Sequence, residues 1–492
     1  MRKTLKILYI SSEVSPFAKT GGLADVSESL PKELKESAHD IRIFMPKYGS
    51  INERKFVLRE VIRLKDIQVP VGNKVAVANV KSSFLPQAKV QIYFIGNKEY
   101  FSRTGYYVDP KTNKDWKDNA ERFIFLCRAT LEILKKLHWQ PDIIHCNDWQ
   151  TALIPYLLKT VYQNDKFFKD IKTLLSLHNL SFQGIFEKKE FALLASSQDV
   201  SKPDSSLEFF GKINFLKAGI INADFLHTVS KRYAKEVQQS DEYGFGLQDI
   251  LKKKSKKLTG IINGVDYSIW NPETDKLLPN TYSRKDLKGK MENKRLLVES
   301  QGLIFKENIP VLGTISRITE QKGFDIIIKS IDKIMRLDLQ YIILGTGEIK
   351  YHKLLEKLAK KYPGKLAVNI KFDDELAHQI EAGADMFLMP SKFEPCGLNQ
   401  LYSLKYGTIP IVRATGGLAD TVKNFSQETG RGYGFVFEEY SSAALISTIE
   451  KAIAVYHNDK LWKKLIERAM KLDFSWQVVT EKYLNLYNSL LS

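Results

Sequence analysis

The sequence predicts an α/β protein built from two Rossmann-like domains, and three observations lead to this prediction. Short apolar strands, such as LKILYI at 5–10 and IPVLGTIS at 309–316, alternate with helical patterns, as is typical of a doubly wound parallel sheet. A chain of 492 residues is too long for a single hydrophobic core, so two domains are expected. The segment TGGLAD occurs at 20–25 and again at 415–420, each time between a predicted strand and a predicted helix.

In the first domain, the strand at 5–10 leads through a long glycine-ended loop into a predicted helix over 23–35. Alternating apolar residues in VAVANV and VQIYFI predict antiparallel strands inserted between about 55 and 95. Helical spacing of apolar residues predicts a long helix over 118–137. Further strands end near Asp148, Asn179 and Ser230, and a short one covers 259–264.

A polar, lysine-rich stretch containing Pro272 and Pro279 then interrupts the pattern. We expect a first domain over 1–264, an interdomain passage over 265–303 and a second domain over 304–472. The remaining residues, 473–492, are expected to form a helix that packs back on the first domain. Within the second domain, predicted helices over 351–360 and 375–382 alternate with apolar strands.

Charge and cysteine content limit the classes of function. The formal net charge is +17 and the pI is about 9.3, so anionic ligands are favoured. The sequence has no zinc-binding spacing and no RNA-binding aromatic motif, so no nucleic-acid partner is expected. Its three cysteines form no CxxC pair, which fits a reducing compartment. With no secretory leader pattern and no long apolar run, we expect a cytoplasmic protein without a membrane partner.

The two glycine turns are candidate anion-binding sites, because glycine at a helix N-terminus lets backbone N–H groups approach an anion closely. The first copy is Lys19-Thr20-Gly21-Gly22 and the second is Thr415-Gly416-Gly417. A single turn of this kind is common in α/β proteins. Two copies in opposite halves, one of them beside a lysine, favour binding of a diphosphate.

The stretch 391–422 places a carboxylate beside the second glycine turn. Glu394 follows a predicted strand, and Cys396, Gly397 and Leu398 lead into the next helix. Loops at the carboxyl ends of strands line the ligand crevice of an α/β sheet. Glu394 therefore either accepts hydrogen bonds from sugar hydroxyls or caps the helix that begins near Gly397. Cys396 is interpreted as a packing residue and not as a nucleophile.

Two cations lie five residues apart at another strand end. Arg317 follows the strand and Lys322 enters the next helix. Arginine offers a planar fork and lysine a point charge to a diphosphate, although either alone is more often a surface charge. No acidic cluster with Mg²⁺ spacing accompanies them, so we expect neither a metal nor a cofactor. Cations and helix N-termini are then expected to neutralise the leaving group.

Polar residues also end two strands of the first domain. His178 and Asn179 follow one strand, and His145 and Asp148 end another. A lone histidine is more often a core residue, but at a strand end His178 is a candidate sugar contact. Asp148 is either a carboxylate of the binding site or the N-cap of the following helix.

The motifs KTGGLADV, HNLSFQG, NGVD, SRITEQKG and GTGE, together with 391–422, closely resemble bacterial and plastid glycogen/starch synthases over essentially the whole chain. The resemblance implies the GT-B architecture, in which an acceptor-side and a donor-side Rossmann-like domain face a central cleft. It implies transfer of glucose from ADP-glucose to the non-reducing end of an α-1,4-glucan, with retention of configuration and release of ADP. ADP-glucose is then a substrate, and no metal is required.

The resemblance also implies roles for individual residues. The expected catalytic residues are Glu394, Arg317, Lys322, His178 and Asp148. The expected substrate-binding residues are Lys19, Gly21, Gly22, Asn179, Asn263, Cys396, Gly397, Leu398, Thr415, Gly416 and Gly417. Arg317 and Lys322 neutralise the diphosphate with help from backbone N–H groups of the second glycine turn. Glu394, His178 and Asn263 orient the donor glucose, and Asp148 lies on the acceptor side.

Several alternatives remain open. Retention ordinarily indicates a carboxylate nucleophile, for which Glu394 is the candidate, whereas the resemblance favours a same-face displacement guided by the departing phosphate. UDP-glucose, or another acceptor, would suit the same architecture. A catalytically silent glucan-binding protein of this fold is a further alternative, but the simultaneous presence of the five residues Lys19, His178, Arg317, Lys322 and Glu394 argues against it.

Overall fold

The computed structural model describes residues 4–194 and 204–492, which separate into two compact units. The first unit contains the described residues up to Val229, together with Ala234–Ile261 and Trp476–Ser492; the second contains Ser230–Tyr233 and Ile262–Ser475. Each unit is built on its own Rossmann-like parallel sheet, which confirms the predicted fold class.

The first unit contains short and long strands that belong to several sheets. They are β1 (Lys6–Ile10), β2 (Asp40–Pro46), β3 (Arg59–Glu60), β4 (Ile67–Val71), β5 (Lys74–Phe84), β6 (Gln91–Gly96), β7 (Val108–Asp109), β8 (Lys114–Asp115), β9 (Ile143–Asn147), β10 (Lys172–Leu177), β11 (Ile185–Phe186), β12 (Glu208–Phe209), β13 (Lys212–Asn214), β14 (Phe225–Thr228) and β15 (Leu258–Gly260). The helices up to this point are α1 (Gly22–Glu36), α2 (Lys98–Phe101), α3 (Asn119–Leu137), α4 (Leu153–Lys159), α5 (Phe215–Asn222), α6 (Lys231–Glu236), α7 (Asp241–Gly244) and α8 (Gln248–Lys253).

The main sheet of the first unit has the order β15-β14-β10-β9-β1-β2-β6-β5-β3, with β4 paired to β5. Pairing is parallel from β15 to β6 and antiparallel beyond it. The antiparallel insertion was expected, but β6 was expected to belong wholly to it. Instead β6 also pairs in parallel with β2, because its residues 92–95 are buried as a continuous apolar run.

The second unit has one parallel sheet of order β18-β17-β16-β19-β20-β21. Its strands are β16 (Val311–Ile315), β17 (Gln340–Gly345), β18 (Leu366–Ile370), β19 (Met386–Met389), β20 (Ile409–Arg413) and β21 (Phe435–Phe437). Its helices are α9 (Lys288–Ser300), α10 (Phe324–Ile334), α11 (Ile349–Lys361), α12 (Asp374–Gly383), α13 (Asn399–Tyr406), α14 (Gly416–Thr421), α15 (Ser442–Tyr456) and α16 (Asp459–Met470). The last helix, α17 (Trp476–Leu491), belongs to the first unit and packs on α1.

Residues 265–303, expected as an interdomain passage, lie within the second unit, where α9 packs on α12. Two of the lysines in this stretch are buried. The Lys290 ammonium donates hydrogen bonds to the carbonyl oxygens of Ala382 and Ala384 at 2.9 Å, at the C-terminus of α12. Lys294 forms a 2.8 Å ion pair with Asp385. Cations at a helix C-terminus are stabilised by its carbonyl groups, so Lys290 serves internal packing.

The strand orders define where a ligand can bind. In the first unit, β1 lies between β2 and β9. The next strand of the parallel sheet, β2, therefore pairs with one edge of β1, and the later strand β9 pairs with its other edge. In the second unit, β16 lies between β17 and β19 in the same manner. The carboxyl ends of strands at such topological switch points form the ligand crevice of open α/β sheets.

A buried hydrogen-bonded chain crosses the first sheet and reaches α17. The His145 ring bonds to the Tyr487 hydroxyl at 2.8 Å and to the Ser176 hydroxyl at 2.6 Å. The same Ser176 hydroxyl lies 2.8 Å from Nδ1 of His227. Since all four residues are buried, this chain fixes α17 against β9 and β10.

Acidification is expected to remove stability at three buried histidines of the first unit. Burial lowers the pKa of His145, and lowers those of His178 to about 4 and of His227 to about 3. Below about pH 6.5 these histidines are protonated in the unfolded chain but stay neutral in the folded chain. Each histidine therefore lowers the free energy of unfolding by up to ~1.4 kcal/mol per pH unit until its lowered native pKa is reached. Urea unfolding at pH 7.5, 6 and 5 measures this. His227→Asn keeps a polar atom near Ser176 without titrating, so it should give a shallower pH dependence; an unchanged dependence would contradict the assignment.

Among the described residues, no helix has the length and apolar character needed to cross a membrane.

Candidate functional site

The carboxyl ends of β9 and β10 place Asp148 beside His178. Asp148 has a left-handed backbone (φ +54°), and its carboxylate accepts a 2.7 Å hydrogen bond from the backbone N–H of His178. Burial raises the pKa of Asp148 to about 7, and hydrogen bonds from the N–H groups of His178 and Asn179 oppose that rise. The N-cap alternative for Asp148 is wrong, because α4 begins after Ala152 without a side-chain cap.

His178 is half-buried and is held by its neighbours. Its Nε2 lies 2.9 Å from the Asn147 side-chain oxygen, which also accepts a 3.1 Å bond from the Tyr9 hydroxyl. Because burial lowers the pKa of His178 to about 4, the ring is neutral at physiological pH and suits a sugar hydroxyl better than a phosphate. The side-chain oxygen of Asn179 accepts bonds from both the N–H and the hydroxyl of Ser181, which closes a local turn.

The first glycine turn is exposed and has open space around it. Lys19 is exposed and forms a 2.7 Å ion pair with Asp25 in the first turn of α1. Gly21 is the extended N-cap of this 15-residue helix, and a Cβ added there would meet no heavy atom within 4 Å. A helix N-terminus of this length, without a side-chain cap, is suited to an anion.

In the second unit, Glu394 and Lys322 form an ion pair. Lys322 Nζ lies 2.5 Å from Glu394 Oε2, which also accepts a 3.1 Å bond from the Ser391 hydroxyl. Glu394 is only 4% exposed, so the pair is largely shielded from water. The helix-cap alternative for Glu394 is wrong, since α13 begins after Leu398 with no side-chain cap. The carboxylate that follows β19 thus holds the cation that follows β16.

Arg317 is exposed at the end of β16. Its guanidinium lies 3.5 Å from the Gln321 side-chain oxygen, too far for a strong hydrogen bond. The loop that carries Arg317 is held by a main-chain hydrogen bond: the Ile318 N–H donates to the Thr346 carbonyl at 2.7 Å. A Cβ at Gly345 would lie 1.9 Å from the Ser316 carbonyl oxygen, so glycine is required there. The GTG segment at 345–347 therefore positions the Arg317 loop.

The second glycine turn differs from the first. A Cβ at Gly416 would lie 1.9 Å from the Glu394 carbonyl oxygen, and one at Gly417 would lie 2.0 Å from that of Cys396. The Gly417 N–H donates to the Glu394 carbonyl at 3.0 Å, and the Thr415 N–H donates to that of Arg413 at 2.9 Å. Two of the N–H groups expected to receive the diphosphate, those of Thr415 and Gly417, are thus engaged within the protein, and α14 has only six residues; binding of the diphosphate by this turn stays a prediction. The turn also holds the Glu394 loop by close packing.

Cys396 and Asn263 are buried and contact each other near the Glu394 loop. The backbone N–H of Asn263 donates to Cys396 Sγ at 3.4 Å, and burial raises the thiol pKa to about 12, which agrees with a packing role. The Asn263 side-chain oxygen is buried and, within the described residues, has no hydrogen-bond partner. Buried polar atoms are nearly always paired, so this oxygen is available to a ligand hydroxyl. Gly397 has a left-handed backbone (φ +73°) where the chain turns toward α13.

Sequence reasoning missed one buried carboxylate, Glu13, which lies between β1 and the first glycine turn. It also missed Tyr107, whose hydroxyl bonds to Glu13 at 2.8 Å. The available signal was a charged residue in an otherwise small and apolar strand end, SSEVSPF. Among the described residues, no group of three or more His, Cys, Asp and Glu side chains is arranged to hold a metal ion.

Comparison with known proteins gives matches over the whole chain. Residues 6–253 match the family described as "Starch synthase catalytic domain", and residues 299–472 match "Glycosyl transferases group 1". The glycogen synthase of Desulforudis audaxviator (strain MP104C) is 44% identical over 99% of this chain and 96% of its own length. That of Thermotoga maritima is 43% identical over 99% of both chains.

Two solved structures share the fold. The catalytic domain of starch synthase IV from Arabidopsis thaliana, bound to ADP and acarbose, has a TM-score of 0.89 and 32% identity over 99% of this chain and 100% of its own. A sucrose-phosphate synthase from Thermosynechococcus elongatus has a TM-score of 0.60 and 16% identity over 98% of both chains, which shows a shared fold alone.

Proposed function

Since the chain belongs to the glycogen/starch synthase family of glucosyltransferases, we propose that its donor is ADP-glucose and its acceptor an α-1,4-glucan. Glucose is transferred to the non-reducing end of the glucan with retention of configuration, and ADP is released. The membership confirms the resemblance read from the motifs. The donor and acceptor find support in the Arabidopsis relative, whose structure contains ADP and acarbose.

The observation that carries this proposal is the pairing of Lys322 with Glu394 at adjoining strand ends, with Arg317 following the same strand as Lys322. Breaking the bond between glucose and diphosphate places negative charge on the leaving oxygens and positive charge on the sugar. Fixed cations stabilise the first charge without reorganising during the reaction. Lys322 and Arg317, both in the second unit, supply these cations. We assign no resident cofactor or metal to the reaction.

Glu394 is assigned a positioning role. Its Oε2 is engaged by both Lys322 and Ser391, which aligns the carboxylate and disfavours its use as a nucleophile. Retention is then achieved by a same-face displacement in which the leaving phosphate guides the incoming hydroxyl. In the second unit, the Asn263 side-chain oxygen, which has no partner among the described residues, suits a hydroxyl of the donor glucose. In the first unit, the neutral ring of His178 suits a sugar hydroxyl. Asp148 is assigned to the acceptor.

A donor panel tests the proposal. The protein is incubated with ADP-glucose, UDP-glucose or GDP-glucose and with maltoheptaose or glycogen, and nucleotide release and chain extension are followed together. We expect ADP-glucose to give the highest kcat/KM, with one ADP released per α-1,4 linkage formed. Preference for UDP-glucose would overturn the donor assignment. Absence of turnover with every donor would favour a silent glucan-binding protein.

We also propose that the protein works in the cytoplasm. The support is its cysteine chemistry: Cys127, Cys146 and Cys396 are buried free thiols, as expected in a reducing compartment.

A further inference from the structure

We propose that Glu13 is a positioning residue that holds the first glycine turn, Lys19-Thr20-Gly21-Gly22, in its binding geometry. The inference rests on the proposed function, because this turn contacts the donor only if the protein uses a sugar nucleotide. Glu13 lies three residues beyond β1, at the topological switch point of the first sheet. It is 3% exposed, whereas the turn it reaches is exposed.

The Glu13 carboxylate is surrounded by hydrogen-bond donors. It accepts a 2.5 Å bond from the Thr20 backbone N–H and a 2.7 Å bond from the Thr20 hydroxyl. The Tyr107 hydroxyl donates to it at 2.8 Å, and the Gly21 N–H also bonds to it. Two of these four donors are backbone groups of the turn itself. The carboxylate therefore fixes the two peptide groups on either side of the Thr20 Cα.

The main chain of Glu13 is held as well. The Ser11 hydroxyl donates to the Glu13 carbonyl at 2.7 Å and accepts from its N–H at 3.3 Å. Ser27 of α1 donates to the same Ser11 hydroxyl at 3.0 Å, and Tyr107 also bonds to Ser12 at 2.7 Å. Glu13 thus links the end of β1, the helix α1 and the turn that precedes it.

Only a carboxylate satisfies this arrangement. It offers about four acceptor sites and no donor, which matches four surrounding donors. A glutamine of the same shape would turn an NH₂ group toward those donors and leave at least one buried N–H or O–H without an acceptor. Since the turn faces open space at Gly21, little else resists its displacement. Loss of Glu13 should therefore move the turn before it unfolds the domain.

The test compares Glu13→Gln and Thr20→Val with the wild-type protein in glucan extension from ADP-glucose. We expect Glu13→Gln to lower kcat/KM for ADP-glucose by about 10- to 100-fold, as for loss of a hydrogen bond to a charged group, with the KM for maltoheptaose unchanged. Thr20→Val removes a single donor and should lower it by about 3- to 10-fold. The double variant should fall no further than Glu13→Gln alone, because both changes break one contact.

Glu381→Gln is the matched control, because Glu381 is a buried carboxylate of α12 that bonds to Ser403 at 2.6 Å and lies outside the proposed site. It should keep the wild-type kcat/KM for ADP-glucose. Thermal unfolding selects a temperature at which every variant is folded; if Glu13→Gln does not fold, Thr20→Val decides the matter. Wild-type kcat/KM in Thr20→Val, or in folded Glu13→Gln, overturns the positioning role. Failure of the wild-type protein to use ADP-glucose overturns the proposed function instead.

Discussion

Lys322→Ala is expected to lower kcat by about 100- to 1,000-fold, the usual cost of removing one preorganised charge from a transition state. Lys322 is held by Glu394 at 2.5 Å in a largely buried setting, so its charge is fixed in place before the reaction. Arg317→Ala should act in the same direction but more weakly, because Arg317 is exposed and loosely held. Initial rates of ADP release at saturating ADP-glucose measure both effects.

Part of the loss in Lys322→Ala comes from leaving the Glu394 carboxylate buried without its partner. The double variant Lys322→Ala/Glu394→Gln separates this effect, because it removes the unpaired charge: its stability should recover while its activity does not. Lys392→Ala is the matched control. Lys392 lies in the loop that carries Glu394, and its 3.0 Å ion pair with Glu320 is exposed. Exposed pairs contribute little, so its rate should stay within about twofold of wild type. Near-normal turnover in both Lys322→Ala and Arg317→Ala would contradict the diphosphate assignment.

Gly416→Ala is expected to abolish activity and to destabilise the second unit. The added Cβ would lie 1.9 Å from the Glu394 carbonyl oxygen, and main-chain atoms cannot move aside as a flexible side chain can. Overpacking of this kind costs about 1–3 kcal/mol or more, and here it would displace the loop that carries Glu394. Urea unfolding measures the stability, and ADP release measures the activity.

Gly21→Ala is the counterpart in the other copy of the same six-residue segment. Its backbone is extended and a Cβ would meet open space, so the free energy of unfolding should change little. Equal destabilisation by the two substitutions would show that the second turn is not packed as described. The comparison is sensitive because the two variants change the same residue type in the same local sequence.

Sequence periodicity predicted most of the fold for a clear physical reason. Strands buried on both faces must be continuous apolar runs, and the residue at which such a run stops marks the carboxyl end of the strand. Glu394 and Arg317 were placed at such ends, and the structure has them there. What periodicity could not show was that the two side chains of Glu394 and Lys322 meet, because 72 residues separate them along the chain.

The burial of other residues could not be predicted, because composition and local motifs do not show what packs against a segment in the folded protein. The lysine-rich stretch 265–303 was expected to link the two domains, yet it lies within the second unit, where Lys290 and Lys294 are buried and bonded. The two TGGLAD segments looked equivalent, yet one faces open space and the other packs against a neighbouring main chain. Identical local sequence specifies a similar turn, but the surroundings decide whether its N–H groups are available to a ligand.

The most direct measurement is calorimetric binding of ADP and AMP to the wild-type protein, Lys322→Ala and Arg317→Ala. The two nucleotides differ by the β-phosphate, so their affinity ratio reports what the fixed cations contribute to holding the leaving group. We expect the wild-type protein to bind ADP at least tenfold more tightly than AMP, and Lys322→Ala to lose most of that difference while binding AMP unchanged. Equal affinity of the wild-type protein for ADP and AMP, or an undiminished difference in both variants, would contradict the account.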